Sequence, residues 1–136
     1  MKKIYTSNYA RKGADPMALA ISAWPPPWYE GKGLDIFAPT RKLVLAVIND
    51  EMDIEEYTQA YIDLLEQRIP DPQKVLDEIP DGSFLLCYEK PTDNCHRHIL
   101  RQWIYDKTGF QMEEWKNEKE QKEAEQQGIV EALIEL

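Results

Sequence analysis

The chain has few of the side chains that most often carry chemistry, because its 136 residues include only two cysteines and two histidines. It also lacks any run of about 18 apolar residues, so no membrane-spanning helix is expected. The start of the chain, MKKIYTSNYA, lacks the apolar stretch and the small-residue cleavage site of a signal peptide. Two cysteines without an export signal indicate a reducing compartment. We therefore expect a cytoplasmic protein whose thiols stay free or bind a ligand.

Positive charge is also scarce. Sixteen lysines and arginines stand against 25 carboxylates, a net charge of −9, and residues 111–136 alone carry eight carboxylates and three lysines. Binding of duplex nucleic acid through a broad basic face is therefore disfavoured. A local basic pocket remains compatible with this balance. Processing of single-stranded nucleic acid, with aromatic side chains stacking on bases, stays open as a weaker alternative.

The length and the 43% apolar content predict one domain that needs no disulfide to support its core. We assign residues 1–110 to a single α/β domain and residues 111–136 to a charged helical C-terminal tail. Strands are predicted at 3–6, 17–24 and 83–89, and helices from residue 39, at 53–68, between Pro70 and Pro80, and at about 94–105. The aromatic, proline-rich segment between the second strand and the first helix is expected to be irregular.

Strands separated by helices predict an α/β fold, a three-layer sandwich with a small, mainly parallel sheet and flanking helices. Ligands of such sheets bind beyond the carboxyl ends of the strands. The SNYAR segment after the first strand and the CYEKPTDNCHR segment after the third are therefore expected to face one crevice.

Both cysteines and both histidines lie in the stretch FLLCYEKPTDNCHRH, residues 84–98. Cys87, Cys95, His96 and His98 could supply four soft ligands, as a closed zinc site needs. Their spacing fits poorly, because His96 and His98 are about 200° apart around a helix. No second CxxC pair is present, so we predict no metal site.

Cys95 is a candidate nucleophile, because a helix start and a nearby arginine both favour a thiolate. Arg97 follows it by only two residues, unlike the distant arginine that closes familiar phosphate-binding cysteine loops. An anion-binding turn requires less, since a helix start offers unpaired N–H groups and Lys90 and Arg97 could add donors. A capping Asp93 or Asn94 would occupy some of those donors.

His96 shares the inward face of its helix with Ile99, Leu100 and Trp103, whereas His98 is expected to face solvent. Two interpretations of His96 stay open. It is either a buried histidine bonded to a carbonyl or to Glu89, or an acid–base group whose tautomer is fixed by Glu89 at the end of the strand.

The segment LLCYEKPTDNCHRHIL resembles the domain of unknown function 488 family, with its LLC-x-E strand end and its C-H-R helix start. The segments KIYTSNYA, ISAWPPPWYEG and FAPT resemble it too, so that the resemblance covers roughly residues 3–106. It implies a compact α/β domain with Cys87, Glu89, Cys95, His96 and Arg97 as its signature. Some relatives lack the cysteines, which weakens mechanisms that need Cys95, and the tail from Gln111 lies outside the resemblance.

We therefore expect a crevice that binds an anionic, nucleotide-like ligand, with hydrolase or transferase chemistry as an extension. The expected catalytic residues are Glu89, His96 and Cys95, and the expected ligand-binding residues are Ser7, Asn8, Arg11, Trp28, Lys90 and Arg97; Tyr29 is a second candidate for stacking. The alternative is a non-enzymatic interaction protein whose signature is structural and whose acidic tail binds a partner or a second copy. The sequence assigns no cofactor.

Overall fold

The computed structural model describes residues 2–88 and 96–135, and within them a sheet of five parallel strands forms the centre of the protein. The strands are β1 (Ile4–Asn8), β2 (Ala18–Ala20), β3 (Lys32–Gly33), β4 (Ser83–Cys87) and β5 (Glu113–Glu114), in the order β3-β2-β4-β1-β5. The register pairs Ile4 with Ser83 and Asn8 with Cys87, so β1 and β4 end side by side. The prediction of a small parallel α/β sheet is confirmed.

The helices are α1 (Tyr9–Lys12), α2 (Arg41–Ile48), α3 (Ile54–Arg68), α4 (Pro72–Glu78), α5 (His96–Thr108) and α6 (Glu118–Ile134). A capping box begins α3, because the Asp53 carboxylate accepts from Glu56 N at 2.8 Å and Glu56 Oε1 accepts from Asp53 N. The Thr40 hydroxyl caps α2 in the same manner by accepting from Leu43 N. Gly109, at φ +76°, follows the last residue of α5.

Helices and loops cover both faces of the sheet. Along β4, Leu85 packs into a cluster with Tyr61 and Leu65 of α3 and with Leu100 of α5, whereas Leu86 packs on the other face with Tyr9. This alternation follows from the period of two along a strand. It makes the domain a three-layer structure, with α3, α4 and α5 on one face and α1 with the aromatic loop on the other.

Two parts of the chain depart from their predicted secondary structure. The strand predicted at 17–24 is ordered as strand only at Ala18–Ala20. The segment expected to be irregular contains β3 and a short 3₁₀ turn at Asp35–Phe37. The Tyr61 hydroxyl donates to Phe37 O at 2.6 Å and so fixes this segment to α3.

The C-terminal segment has two unlike parts. Met112 is 4% exposed in the main core and Glu113–Glu114 join the sheet as β5. Every described residue from 121 to 135 is exposed, and the apolar residues near the end belong to α6. Whether residues 1–110 form a domain by themselves stays a prediction. Over the described ranges, no helix is both long enough and apolar enough to cross a membrane.

Candidate functional site

An apolar pocket of about 290 Å³ lies beyond the carboxyl ends of β2 and β4. Mostly apolar side chains of α2 and α3 form one wall, and the strand ends and the first residues of α5 form the other. Its lining residues are Ser22, Ala23, Trp24, Pro39, Val44, Val47, Ile48, Ile54, Tyr57, Thr58, Cys87, Tyr88, His96, His98 and Ile99. A pocket of this kind at this edge of a parallel sheet is the usual place for a small ligand.

Part of this lining is open to solvent. Trp24, Ile48, Ile54 and Tyr88 are all exposed large apolar side chains, and the Tyr88 hydroxyl donates to Trp24 O. The Arg41 guanidinium lies 5.4 Å from the centre of the Trp24 ring. The pocket therefore has an aromatic rim with the Arg41 guanidinium beside it.

His96 lies against the pocket but is almost fully buried. Its Nε2 is 2.6 Å from Ile21 O, and because a carbonyl only accepts, this nitrogen carries the proton. The ring also meets the Tyr61 ring edge to face at 5.5 Å. Burial lowers the pKa of His96 from 6.5 to about 4, an effect that the carbonyl bond only partly offsets. His96 is therefore a neutral imidazole at pH 7.

Arg97 is completely buried, and protein groups accept from its guanidinium. Nε and NH2 donate to the two carboxylate oxygens of Glu114 at 3.0 and 3.1 Å, and NH1 donates to Cys87 Sγ at 2.8 Å. A two-bond pair of this geometry compensates a buried guanidinium well. Arg97 thus joins α5 to β5 and to the end of β4.

A second, polar pocket of about 440 Å³ lies between α5 and β5. Its lining residues are His98, Arg101, Gln102, Tyr105, Gln111, Met112, Glu113 and Glu114. Arg101 NH2 donates to His98 Nδ1 at 2.6 Å, and Arg101 NH1 lies 3.4 Å from Thr6 Oγ1. His98 is half-buried and lines both pockets, so the expectation that it faces solvent is not met.

The other predicted ligand-binding residues do not gather in one place. The Ser7 side chain is fully buried, and its hydroxyl has no hydrogen-bond partner among the described residues. Asn8 Oδ1 accepts from Arg11 N at 2.9 Å, and the Arg11 guanidinium pairs with both carboxylate oxygens of Glu120 on α6. Trp28 packs edge to face on Tyr9 and does not line the apolar pocket; Trp24 does.

Glu89, Lys90 and Cys95, as well as the capping positions Asp93 and Asn94, lie outside the described residues. Cys87 is disulfide-bonded, so the expectation of free thiols is not met at this residue. No group of three or more potential metal ligands occurs within residues 2–88 and 96–135. The predicted roles of Glu89, Cys95 and Lys90 stay predictions.

Sequence reasoning missed Glu114, Arg101 and the α2 wall of the apolar pocket. Glu114 follows Arg97 by 17 residues, so no local spacing links them. The apolar composition of Arg41–Ile48 was the feature of the sequence that could have indicated this wall. In the structure none of its residues is buried. A short helix of this composition needs either a core or a ligand against it.

Comparison with known proteins identifies the family. Neither the curated proteins nor the solved structures contain a match to this chain. A family model described as the active DUF488-N3 subclade matches residues 28–108, which is more than half of the chain. The match includes α2 to α5 and the apolar pocket's main walls, but it ends before β5. The chain therefore belongs to the domain of unknown function 488 family, in its active DUF488-N3 subclade.

Proposed function

We propose that the apolar pocket binds the flat ring of a small nucleotide-like ligand. The observation that carries the proposal is the pocket itself: about 290 Å³, with an aromatic rim, at the carboxyl ends of parallel strands. A pocket near the lower end of the usual size range suits one heterocycle rather than an extended ligand. The family match gives no activity to add to this argument.

The few polar groups in the pocket suit recognition of a ring edge. Ser22, Thr58 and Tyr57 carry hydroxyls, and His96 and His98 carry ring nitrogens. His96 is uncharged at pH 7, so the pocket does not hold a buried imidazolium that would oppose entry of an apolar ring. A small number of polar groups in an apolar wall is the usual source of orientation in such sites.

The anionic part of the ligand is assigned to the rim. Arg97 is buried and paired with Glu114, so it is a poor first contact for a phosphate. Arg41 is exposed beside Trp24 and offers an accessible guanidinium at the pocket mouth. Lys90 remains the second predicted donor. We therefore assign the anion contact to Arg41, instead of to Arg97 as the sequence predicts.

Hydrolysis or group transfer would use Glu89 and His96, as the sequence predicts. What supports His96 is its position in the pocket wall. Its pKa of about 4 leaves it uncharged at neutral pH, so it has no proton to give as an imidazolium acid there and is only a weak base. Incubation of the protein with nucleotides, followed by chromatography of the products, tests this extension separately from binding.

Binding is tested with the four ribonucleoside monophosphates and with ribose 5-phosphate, which has no base. We expect at least one nucleotide, but not ribose 5-phosphate, to raise the melting temperature and to shift the Trp24 indole resonance. Val47→Trp fills the pocket and should abolish the effect. Leu45→Trp adds the same ring on the same helix outside the pocket lining and should preserve it. Binding by Val47→Trp as strong as that of the wild type would refute the proposal.

A second candidate function, contact with another protein chain through α6, is favoured by one observation. The end of this helix exposes four large apolar side chains together, Ile129, Val130, Leu133 and Ile134, each at least 48% exposed. Clustered apolar side chains on an exposed helix mark an interaction surface more often than scattered ones do. The occupant that we propose is the same cluster of a second copy, which is one of the two partners that the sequence analysis gives for this tail.

Sedimentation equilibrium of the pure protein tests this contact. We expect a concentration-dependent dimer for the wild type and a monomer for Ile129→Glu/Leu133→Glu, in which two charges replace the centre of the cluster. Glu123→Gln/Glu125→Gln is the matched control on the same helix and should still dimerise. A wild type that stays monomeric at all concentrations excludes self-association through α6.

A further inference from the structure

The hydroxyl of Ser22 links the apolar pocket to the segment that follows β1. Ser22 comes two residues after the end of β2, is half-buried and lines the apolar pocket. Tyr9, the first residue of α1, does not line this pocket, but its hydroxyl lies 2.5 Å from Ser22 Oγ. Tyr9 can therefore act on a ligand in the apolar pocket only through Ser22.

Aromatic rings hold Tyr9 in place. The rings of Trp28, Tyr29 and Tyr88 meet the Tyr9 ring edge to face, with centroids 6.4, 5.3 and 5.0 Å away. Tyr9 itself is 3% exposed. A ring packed on several sides has little freedom to aim its hydroxyl elsewhere, so the contact with Ser22 is a fixed part of the pocket wall.

The direction of this hydrogen bond follows from the two protons involved. In the described part of the chain, the acceptor within reach of the Tyr9 hydroxyl is Ser22 Oγ. If Ser22 donated instead, the buried phenol proton would have no acceptor, which is costly. Burial raises the pKa of Tyr9 to about 12, so its hydroxyl keeps this proton at neutral pH. Tyr9 therefore donates and Ser22 accepts.

This direction leaves the Ser22 proton without an acceptor from the protein. Within residues 2–88 and 96–135, the Ser22 hydroxyl has the bond with Tyr9 and no second one. Two other polar groups of the lining differ in this respect: Thr58 donates to Ile54 O at 2.7 Å, and His96 donates to Ile21 O. The Ser22 oxygen is satisfied, while its proton is available to a ligand.

We infer that Ser22 selects rings whose facing edge carries a hydrogen-bond acceptor, either a carbonyl oxygen or an unprotonated ring nitrogen, and that Tyr9 is the positioning residue that makes Ser22 a donor. The inference deepens the proposed function and rests on it, because it requires that a flat ring enters the apolar pocket. A ring edge that is wholly apolar, or that presents only an N–H group, would leave the Ser22 proton unpaired.

Three uncharged bicyclic probes test the inference at pH 8. Quinoline carries one ring acceptor, naphthalene carries no polar atom, and indole carries one donor. Titrations of the full chain follow the Trp24 indole resonance by ¹H–¹⁵N NMR. We expect the advantage of quinoline over naphthalene to be smaller in Ser22→Ala than in the wild type by about twofold to tenfold, the effect of one hydrogen bond. Because the ratio is taken within each protein, it cancels most of the hydrophobic contribution that the two probes share.

Tyr9→Phe tests the positioning role. The variant keeps the packed ring but removes the proton that Ser22 accepts, so the Ser22 oxygen is left without a donor. Indole should then gain on quinoline by about twofold to tenfold relative to the wild type, because its N–H can donate to that oxygen. A purely structural role of Tyr9 would weaken all three probes alike. Ser22→Ala keeps the test valid if Tyr9→Phe does not fold.

Two control variants remove hydroxyls of the same kinds outside the pocket lining. Ser83→Ala removes a hydroxyl that donates to Pro80 O at the start of β4, and Tyr5→Phe removes one from a ring that stacks on Phe84. Both should keep the wild-type preferences among quinoline, naphthalene and indole.

The outcomes separate this inference from the proposed function. If no probe shifts the Trp24 resonance of the wild type, no flat ring binds and both are wrong. If the probes bind and Ser22→Ala leaves the advantage of quinoline unchanged, the inference alone is wrong. Equal weakening of all three probes in Tyr9→Phe would overturn the positioning role of Tyr9. If the predicted preferences hold but no nucleotide binds, the inference stands and the nucleotide-like ligand is wrong.

Discussion

His96 and Arg97 are neighbours on α5, and both are buried, yet the protein meets the cost of burial in different ways. Arg97 keeps its charge because two hydrogen bonds join it to Glu114, while His96 loses its charge and donates to the carbonyl of Ile21. Removing a partner from a buried charge costs far more than removing a neutral hydrogen bond. The two signature residues thus stabilise the junction of α5 with the sheet, whatever ligand the pockets bind.

The low pKa of His96 predicts a loss of stability on acidification. The unfolded chain binds a proton at this residue near pH 6.5, whereas the folded chain does so only near pH 4. Stability from neutral His96 is therefore fully present above about pH 6.5 and is lost as the pH falls towards 4. Between pH 7 and pH 5.5 we expect the free energy of unfolding to fall by about 1 kcal/mol from this residue.

Urea unfolding at the two pH values measures this loss, and His96→Gln is the control. Glutamine can still donate to the Ile21 carbonyl but does not titrate, and the variant retains His98. The variant should be less stable overall, with a smaller difference between the two pH values. Equal differences in wild type and variant would show that His96 titrates normally in the folded protein.

At the scale of elements, the sequence was informative wherever local signals agree. The helix predicted at 53–68 agrees with α3 almost to the residue, and β4 begins where the strand predicted at 83–89 begins. The two-residue strands β3 and β5 could not be predicted in this way, because neighbours in space create them. Glu113–Glu114 has a low intrinsic preference for strand, and it forms one because it pairs with Tyr5 and Thr6 of β1.

The candidate sites follow the same rule. The order of strands and helices predicted a crevice beyond β1 and β4, as parallel sheets favour. The apolar pocket lies beyond β2 and β4, and neither pocket's lining includes Ser7, Asn8 or Arg11. The partner of Arg97 and the lining of each pocket depend on contacts between distant parts of the chain. Trp24 and Trp28 illustrate the limit, because both lie in one aromatic segment and the sequence does not show which of them reaches the apolar pocket.

At the scale of the whole molecule, the segment after α5 has two parts, of which the first packs against the domain and the second does not. The matched family region ends at residue 108, but Met112 fills the core and Glu114 neutralises the buried Arg97. Beyond them, α6 has no buried residue and is linked to α1 by the exposed pair of Arg11 with Glu120. From this burial pattern we expect the packed domain to end near residue 116.

Two truncated chains test where the domain ends. A chain of residues 1–117 keeps Met112 and Glu114, so its melting temperature should stay within a few degrees of the full chain, since exposed ion pairs contribute little. A chain of residues 1–110 leaves Arg97 as an unpaired buried charge, a loss of about 3–5 kcal/mol before the loss of Met112 packing is added. For a domain of this size we expect a fall of about 10 °C or more, or failure to fold.

Glu114→Gln in the full chain separates the charge from the packing. It removes the negative charge beside Arg97 but keeps Met112, β5 and α6, so it should reproduce much of the destabilisation of the 1–110 chain. Equal melting temperatures of the 1–110 and 1–117 chains would show that the domain is complete at residue 110, as the sequence predicts. A stable 1–110 chain with a destabilised Glu114→Gln would instead mean that Arg97 finds another partner, or reaches water, once β5 is absent.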